Sequence, residues 1–237
     1  FSIPDASRIA KGKSIANLLN LQPGESIASI LSVREFEEDK FVMVATERGV
    51  VKKTSLMAYS KPRQGGVIGL TIDEGDRLIG AELCDGESDI LLATAKGFSI
   101  RFSEKEARPI GRTGRGVRGI RLKPDDLVVG AEIVHPGNML LTVTSNGYGK
   151  RTQLEEYPVQ GRGGLGVMTI RCNDKIGKVV GIQQVTESDE LLVITSDGNI
   201  VRMKVNEISV IGRNTQGVRL VGTDESNQVV SVEKLVE

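Results

Sequence analysis

The chain has 237 residues, 39% of them hydrophobic and 26% charged, with 31 basic and 31 acidic side chains and one histidine. That length supports one large domain or two small ones; no apolar run approaches the eighteen or so residues of a membrane helix, and "FSIPDASRIAKGKS" lacks the basic-then-apolar order of a signal peptide. Cys84 and Cys172 are too few for a disulfide scaffold and lack metal-ligand spacing, so both read as core hydrophobes of a cytoplasmic protein, while His135, in the turn sequence "VHPGN", has no nucleophile signature beside it. No catalytic and no metal-ligating residue is expected.

In chain order, residues 1–39 carry the tail of a repeat, with "IAKGKSIANL" around Gly12, and four fuller repeats follow at 40–88, 89–138, 139–189 and 190–237. Each of the four opens with a hairpin: "VATERGVVKKT", "LATAKGFSIRF", "TVTSNGYGKRT" and "VITSDGNIVRM" align on Gly49, Gly97, Gly147 and Gly198, which are 48, 50 and 51 residues apart. A polar residue followed by Gly meets the need of a tight hairpin for positive φ. A second register, "RQGGVIGLTI", "TGRGVRGIRL", "GGLGVMTIRC" and "NTQGVRLVGT", aligns on Gly66, Gly116, Gly166 and Gly217 with spacings of 50, 50 and 51. Short Val, Ile and Leu segments such as "FVMVAT", "VVKKT", "VIGLTI" and "RLIGAEL" predict about four strands per repeat. Four strands every 50 residues or so predict an all-β, propeller-like array, with "FSEKEARPI" and "VNEISVIG" as short helical turns.

"QGRGGLG", Gln160 to Gly166, holds a G-x-G-x-x-G in Gly161, Gly163 and Gly166. A dinucleotide loop must open a helix after a parallel strand, whereas Gly166 precedes the strand-like "VMTIRC". The loop therefore reads as one of five equivalent interblade loops.

A net charge of zero argues against nucleic acid, but the charges are segregated: eight basic residues against Glu104 and Glu106 between Lys96 and Arg121, and seven acidic against Arg77 between Asp73 and Asp89. A basic residue stands four after every hairpin glycine, at Lys53, Arg101, Arg151 and Arg202, joined by Lys52, Lys150 and Lys204. An arginine stands four before the second glycine at Arg8, Arg112, Arg162 and Arg213, with Arg63 displaced by one and Lys11, Lys13, Lys61, Arg115 and Arg118 flanking. Cations in phase with the repeat predict a solvent-facing basic belt for a bent polyanion, the glycines offering clearance and N–H donors to phosphate. With 3% aromatic residues there is no stacking platform for single strands, so duplex DNA is the expected partner. Reversal of Arg101, Arg151 and Arg202 to Glu together is expected to lower binding broadly across sequences with little loss of folding. A propeller that binds protein partners through its face is the alternative.

"VKKT", "GVRGIRL", "NGYGKRT", "EEYPVQGRGG" and "EISVIGRNTQGV", in that order over nearly the whole chain, resemble the C-terminal domain of the bacterial DNA gyrase A subunit, a type IIA topoisomerase. The resemblance implies a six-bladed β-pinwheel with strands exchanged between blades, whose basic perimeter wraps duplex DNA with positive handedness so that the holoenzyme, an A2B2 complex, introduces negative supercoils. ATP and Mg belong to other domains of that complex, as does the cleaving tyrosine, and Tyr59, Tyr148 and Tyr157 match repeat positions. Lys53, Arg101, Lys150, Arg151 and Arg202 would be perimeter contacts, and Arg112, Arg115, Arg162 and Arg213 loop contacts. The family's Q-R-R-G-G-K-G box lies in the first blade, whereas "QGRGGLG" lies in a later repeat with Leu165 in place of the box lysine. With four and a half repeats the chain is expected to lack its first blade and to form an open ring, and the corresponding topoisomerase IV polypeptide is kept as the alternative relative.

Overall fold

The computed structural model describes residues 7, 10, 11, 14, 19, 21, 24–61, 66–224 and 226–235. In the first described repeat the strands are β1 (Phe41–Thr46), β2 (Val50–Ser55) and β3 (Leu78–Cys84); the second repeat holds β4 (Asp89–Thr94), β5 (Phe98–Ser103), β6 (Val117–Arg118) and β7 (Val128–Val134). The third holds β8 (Met139–Thr144), β9 (Tyr148–Gln153), β10 (Val167–Met168) and β11 (Val179–Val185), and the fourth β12 (Glu190–Thr195), β13 (Ile200–Lys204), β14 (Val218–Arg219) and β15 (Val229–Lys234). The expected helical turns are 3-10 turns, Glu104–Glu106 and Val205–Glu207 among them.

Sheet boundaries do not coincide with repeat boundaries. The sheets run β3-β1-β2-β6, β7-β4-β5-β10 and β11-β8-β9-β14, so that in each the last strand is donated by the following repeat; the fourth, β15-β12-β13, has three strands. The exchanged strand is two residues long, pairing Arg118 with Val50, Met168 with Phe98 and Arg219 with Tyr148. The third strand of the second, third and fourth repeats is thus much shorter than its apolar run suggests. "VIGLTI", at 67–72, forms no strand, for among the described residues no preceding sheet offers it an edge.

The hairpin tips follow the glycines. Gly49, Gly97, Gly147 and Gly198 have φ between 75° and 86°, and each donates its N–H to the threonine carbonyl three residues earlier, the type I turn with a left-handed glycine that suits a right-twisted hairpin. At Gly97 the demand is doubled, since a Cβ would collide with the Ile170 carbonyl oxygen.

The first strand of each of the first three hairpins is buried on both faces, which is why "DILLAT" reads as a continuous apolar run. Ile90 and Leu92 pack with Met43 and Ala45 of the preceding sheet, while Leu91 and Ala93 pack with Leu140 of the next. Leu141 and Val143 then meet Leu191 and Val193. A face that carries the alternate residues of a strand is therefore an intersheet seam, with no solvent side.

The strands β3, β7, β11 and β15 are neighbours at the inner edge, where Glu82, Glu132, Gln183 and Glu233 line a cavity of about 350 Å³. Side chains stitch these strands together: the Ile133 N–H donates to Glu82 Oε2 at 2.9 Å, and Gln184 Nε2 donates to Glu132 Oε2 at 3.1 Å and to the Ile133 carbonyl at 2.5 Å. Burial and then the charge of Glu82 push the Glu132 carboxyl up to about 7, and burial raises Glu82 as well.

A carboxyl raised on folding contributes stability that is complete below the unfolded value of 4.5 and is lost as pH rises through about 7. Thermal unfolding should therefore show the wild type losing about 2 kcal/mol between pH 5 and pH 8, and Glu132→Gln should flatten that loss. Glycine conformation gives a second test by urea titration. Gly166→Ala, at φ 73° with the Ser99 carbonyl oxygen in the path of the new Cβ, should cost about 2 kcal/mol or more. Gly161→Ala, with nothing within 4 Å, should be nearly neutral.

Candidate nucleic-acid interface

In the first three sheets the cation four residues after the hairpin glycine is not on a rim. Lys53 and Arg151 are each 4% exposed, because that strand position points into the seam toward the next sheet. There each cation meets the start or end of the neighbour's 3-10 turn. Lys53 Nζ donates to the Glu104 carbonyl at 2.9 Å and pairs with the buried Glu104 carboxylate at 3.7 Å. Arg101 donates from Nη1 to the Leu154 carbonyl at 2.9 Å and from Nε to Asp89 at 2.8 Å. Arg151 donates from Nε to the Ile208 carbonyl at 2.7 Å, with Glu187 3.5 Å from Nη1. Arg202, in the one sheet followed by no other among the described residues, is exposed and bridges Glu190.

Lys52 and Lys150 are fully buried, their ammonium groups spent on loop oxygens. The solvent-facing belt expected at Lys52, Lys53, Lys150 and Arg151 is therefore corrected: these cations are enclosed between sheets and loops, where they donate to carbonyls, and do not face a phosphate at the surface. Triple reversal of Arg101, Arg151 and Arg202 would likewise place a carboxylate inside a seam, so the expectation that folding survives it is withdrawn. Lys204 remains exposed.

The loop arginines form a second relay across the seams. Arg112 donates from Nη1 to the Ile68 carbonyl at 3.1 Å, Arg162 to that of Arg118, and Arg213 to that of Met168 at 2.8 Å. In every case the acceptor lies two residues after the aligned glycine of the preceding loop. The amides of Arg162 and Arg213 are taken by Glu106 and Glu156 at 2.9 and 3.0 Å. Within "QGRGGLG" the Gln160 and Gly163 amides go to the Arg101 and Gly119 carbonyls, so these amides do not form a phosphate cradle. Gly164 contributes its carbonyl to the Arg121 amide, and Leu165 is solvent-exposed. Arg63, with Arg8 and Lys13, lies outside the described residues.

The cations left open are on the outer edge of the sheets. Arg118 and Arg219 sit on β6 and β14 two residues after the aligned glycines; Arg121 and Arg171 follow five after theirs, and all four are exposed. Arg115 is exposed beside Asp73 at 3.1 Å. Lys123 lies 3.7 Å from the centroid of the Phe98 ring and Lys175 lies 5.6 Å from that of Tyr148, each at the start of an outer hairpin strand. In the sequence Arg118 reads only as a flanking charge. Arg121, Arg171 and Arg219 do not stand out there as site residues, because each recurs in only two of the four repeats. Their signal is the same 50-residue phase, read at the exchanged strand rather than at the hairpin.

These positions offer guanidinium groups at the edges of the first three sheets and ammonium groups over the outer hairpin strands of the second and third. His135 is an exposed turn residue, and the described residues hold no cluster of three or more His, Cys, Asp or Glu suited to a metal. Among the described residues no helix is long and apolar enough to cross a membrane.

The seam and edge roles separate in unfolding experiments. Arg151→Met should destabilise by about 3 kcal/mol, leaving the buried Ile208 carbonyl without its donor, whereas Arg202→Met should stay within about 0.5 kcal/mol of wild type because its ion pair is exposed. Equal losses at the two positions would contradict the seam assignment.

A family model described as "DNA gyrase C-terminal domain, beta-propeller" matches residues 2–34, 40–85, 88–135, 138–186 and 189–235. The whole chain aligns with the DNA gyrase A subunit of Salmonella typhimurium at 46% identity, covering 27% of that protein. It also aligns with the A subunit of Buchnera aphidicola from Acyrthosiphon pisum at 53%, covering 29%. The chain thus spans less than a third of these relatives. Among solved structures, a DNA gyrase A C-terminal domain superposes with a TM-score of 0.85 at 27% identity, over 96% of this chain and 76% of that one. The C-terminal domain of DNA topoisomerase IV superposes with a TM-score of 0.88 at 26% identity, over 94% and 70%. With exchanged edge strands, a repeat near 50 residues and matches in all five repeats, this chain belongs to the DNA gyrase C-terminal domain family.

Proposed function

We propose that residues 1–237 form a single non-catalytic module that binds duplex DNA along the outer sheet edges and wraps it. The observation that carries this reading is the placement of exposed arginines at the outer edges of three sheets in a row: Arg118 on the first and Arg219 on the third, with Arg121 and Arg171 just after the exchanged strands of the first and second. A row of guanidinium groups across several sheets suits a polyanion that bends past them. Contacts of this kind release counterions without reading bases. Smooth bending of duplex costs several kcal/mol, so many modest contacts must share it.

By family, the module serves the DNA gyrase A subunit in the bacterial cytoplasm, within an A2B2 complex whose B subunit hydrolyses ATP; its wrap would bias strand passage toward negative supercoils. It needs no cofactor of its own, ATP and Mg acting elsewhere in the complex. The similarity to the topoisomerase IV domain keeps a second reading, a weaker wrap without strong handedness.

Duplex affinity across a salt series tests the interface. Replacing Arg118, Arg121, Arg171 and Arg219 together by Glu should leave thermal unfolding nearly unchanged and lower the slope of log K against log salt by about 3 to 4, roughly one for each phosphate no longer neutralised. An unchanged slope would place the interface elsewhere. Relaxing plasmid with the module bound and then removing protein should leave positive supercoils. No linking change would favour the topoisomerase IV-like reading, and no DNA retention at any salt would favour a protein-binding propeller.

A further inference from the structure

Two buried lysines reach into the arginine loops, and their geometry is that of a clamp. Lys150 Nζ donates to the Gly212 carbonyl at 2.6 Å, the Arg213 carbonyl at 2.5 Å and Thr215 Oγ1 at 3.0 Å. All three ammonium donors end on one four-residue turn.

That turn orients the edge cations. Asn214 Oδ1 accepts from Arg171 Nη2 at 3.0 Å and Nε at 3.3 Å, and the Thr215 carbonyl accepts the Arg171 amide at 2.8 Å. Arg213 reaches the Met168 carbonyl at 2.8 Å, and the chain then enters β14 with Arg219. Lys52 repeats the device in part, donating to the Arg112 carbonyl in the loop that leads through Arg115 to Arg118 and, at 2.8 Å, to the Gly69 carbonyl of its own repeat. At the same position in the other two sheets stand Ile100 and Val201.

We infer that Lys52 and Lys150 are positioning residues for the DNA-binding edge, their protonated forms holding the arginine loops in place, so that binding of a polyanion is linked to proton uptake at these lysines. The inference rests on the DNA-wrapping reading above. Burial holds the Lys150 ammonium down to about 8, with Glu156 of the neighbouring 3-10 turn favouring the charge and Arg213 of the clamped loop opposing it. Arg171, held on Asn214 of the same turn, adds a second positive charge, while β8 carries no ionisable side chain and Arg219 of β14 lies opposite Tyr148, two residues along the strand. Lys52 is lowered by burial and by Arg112. An ammonium crowded by a guanidinium gains from a phosphate brought close to both, and by reciprocity a proton held more tightly in the complex means tighter DNA binding where the lysine is otherwise neutral.

The test measures affinity of the 237-residue chain for a duplex of about 40 base pairs at fixed salt, at pH 7 and pH 9, beside the thermal midpoint. Wild type should bind about tenfold more weakly at pH 9, the loss expected from one group deprotonating about a unit above its pKa. Lys52→Ile with Lys150→Ile copies the Ile100 solution already present in the fold; it should bind at pH 7 about as weakly as wild type at pH 9 and lose little more on going to pH 9. Wild-type affinity that does not change between the two pH values overturns the inference without any substitution, so unfolding of the variant cannot rescue it. A folded double variant that keeps the wild-type pH profile overturns it equally. If wild type retains no duplex at either pH, the wrapping reading falls too, which sets that failure apart from a pH-independent binder.

Discussion

Every described sheet but the last is finished by the repeat that follows it, and the bond guarding each seam is a side-chain cation donating to a carbonyl on the other side. Backbone oxygens buried between sheets must find a donor. A charged donor contributes about 1.5–3 kcal/mol, and far more is lost if it is removed and the oxygen left dry. Lys53, Arg101 and Arg151 serve the turn of the next sheet while Arg112, Arg162 and Arg213 serve the loop of the preceding one. Each seam thus carries two such relays over an apolar filling, and stability should approximate a sum over neighbouring units.

This arrangement gives the described cations of the hairpin strands and those of the exchanged strands opposite surroundings. Those on the hairpin strands of the first three sheets are held inside the seams by carbonyls; those on or after the exchanged strands, with Arg202 and Lys204 of the last sheet, are open to solvent. The acidic residues Glu82, Glu132 and Glu233 meanwhile line the inner cavity. A chain of zero net charge thus carries carboxylates along its inner cavity and exposed cations at its outer sheet edges. The two populations are also connected, since the buried lysines fix the loops on which the exposed arginines stand.

One repeat departs from the others in a telling way. Where Leu56, Leu154 and Val205 open the 3-10 turns of the other sheets, the second has Glu104, fully buried, with Oε1 accepting the Ser88 amide at 2.8 Å. Its partner across the seam is Lys53 where the following seams use arginine. A compact ammonium sits between carboxylate and carbonyl as a point charge, a role a planar guanidinium fills less well. The same carboxylate helps to push the nearby Cys84 thiol well up, after burial itself, which makes that cysteine inert.

Glycine spacing and apolar alternation in the sequence were enough to determine the repeat, the hairpins with their left-handed turn glycines and the all-β class, because these depend on local φ and on which residues exclude water. The resemblance of "NGYGKRT" and "EISVIGRNTQGV" added the exchange of strands. What the tertiary structure alone decided was the direction of each cation. Lys53, Arg101, Arg151 and Arg202 share one register position, yet only Arg202 is open, because only its sheet lacks a following sheet among the described residues. Periodicity places a side chain on a face of a strand; whether that face meets water or a neighbouring carbonyl depends on how the sheets stack.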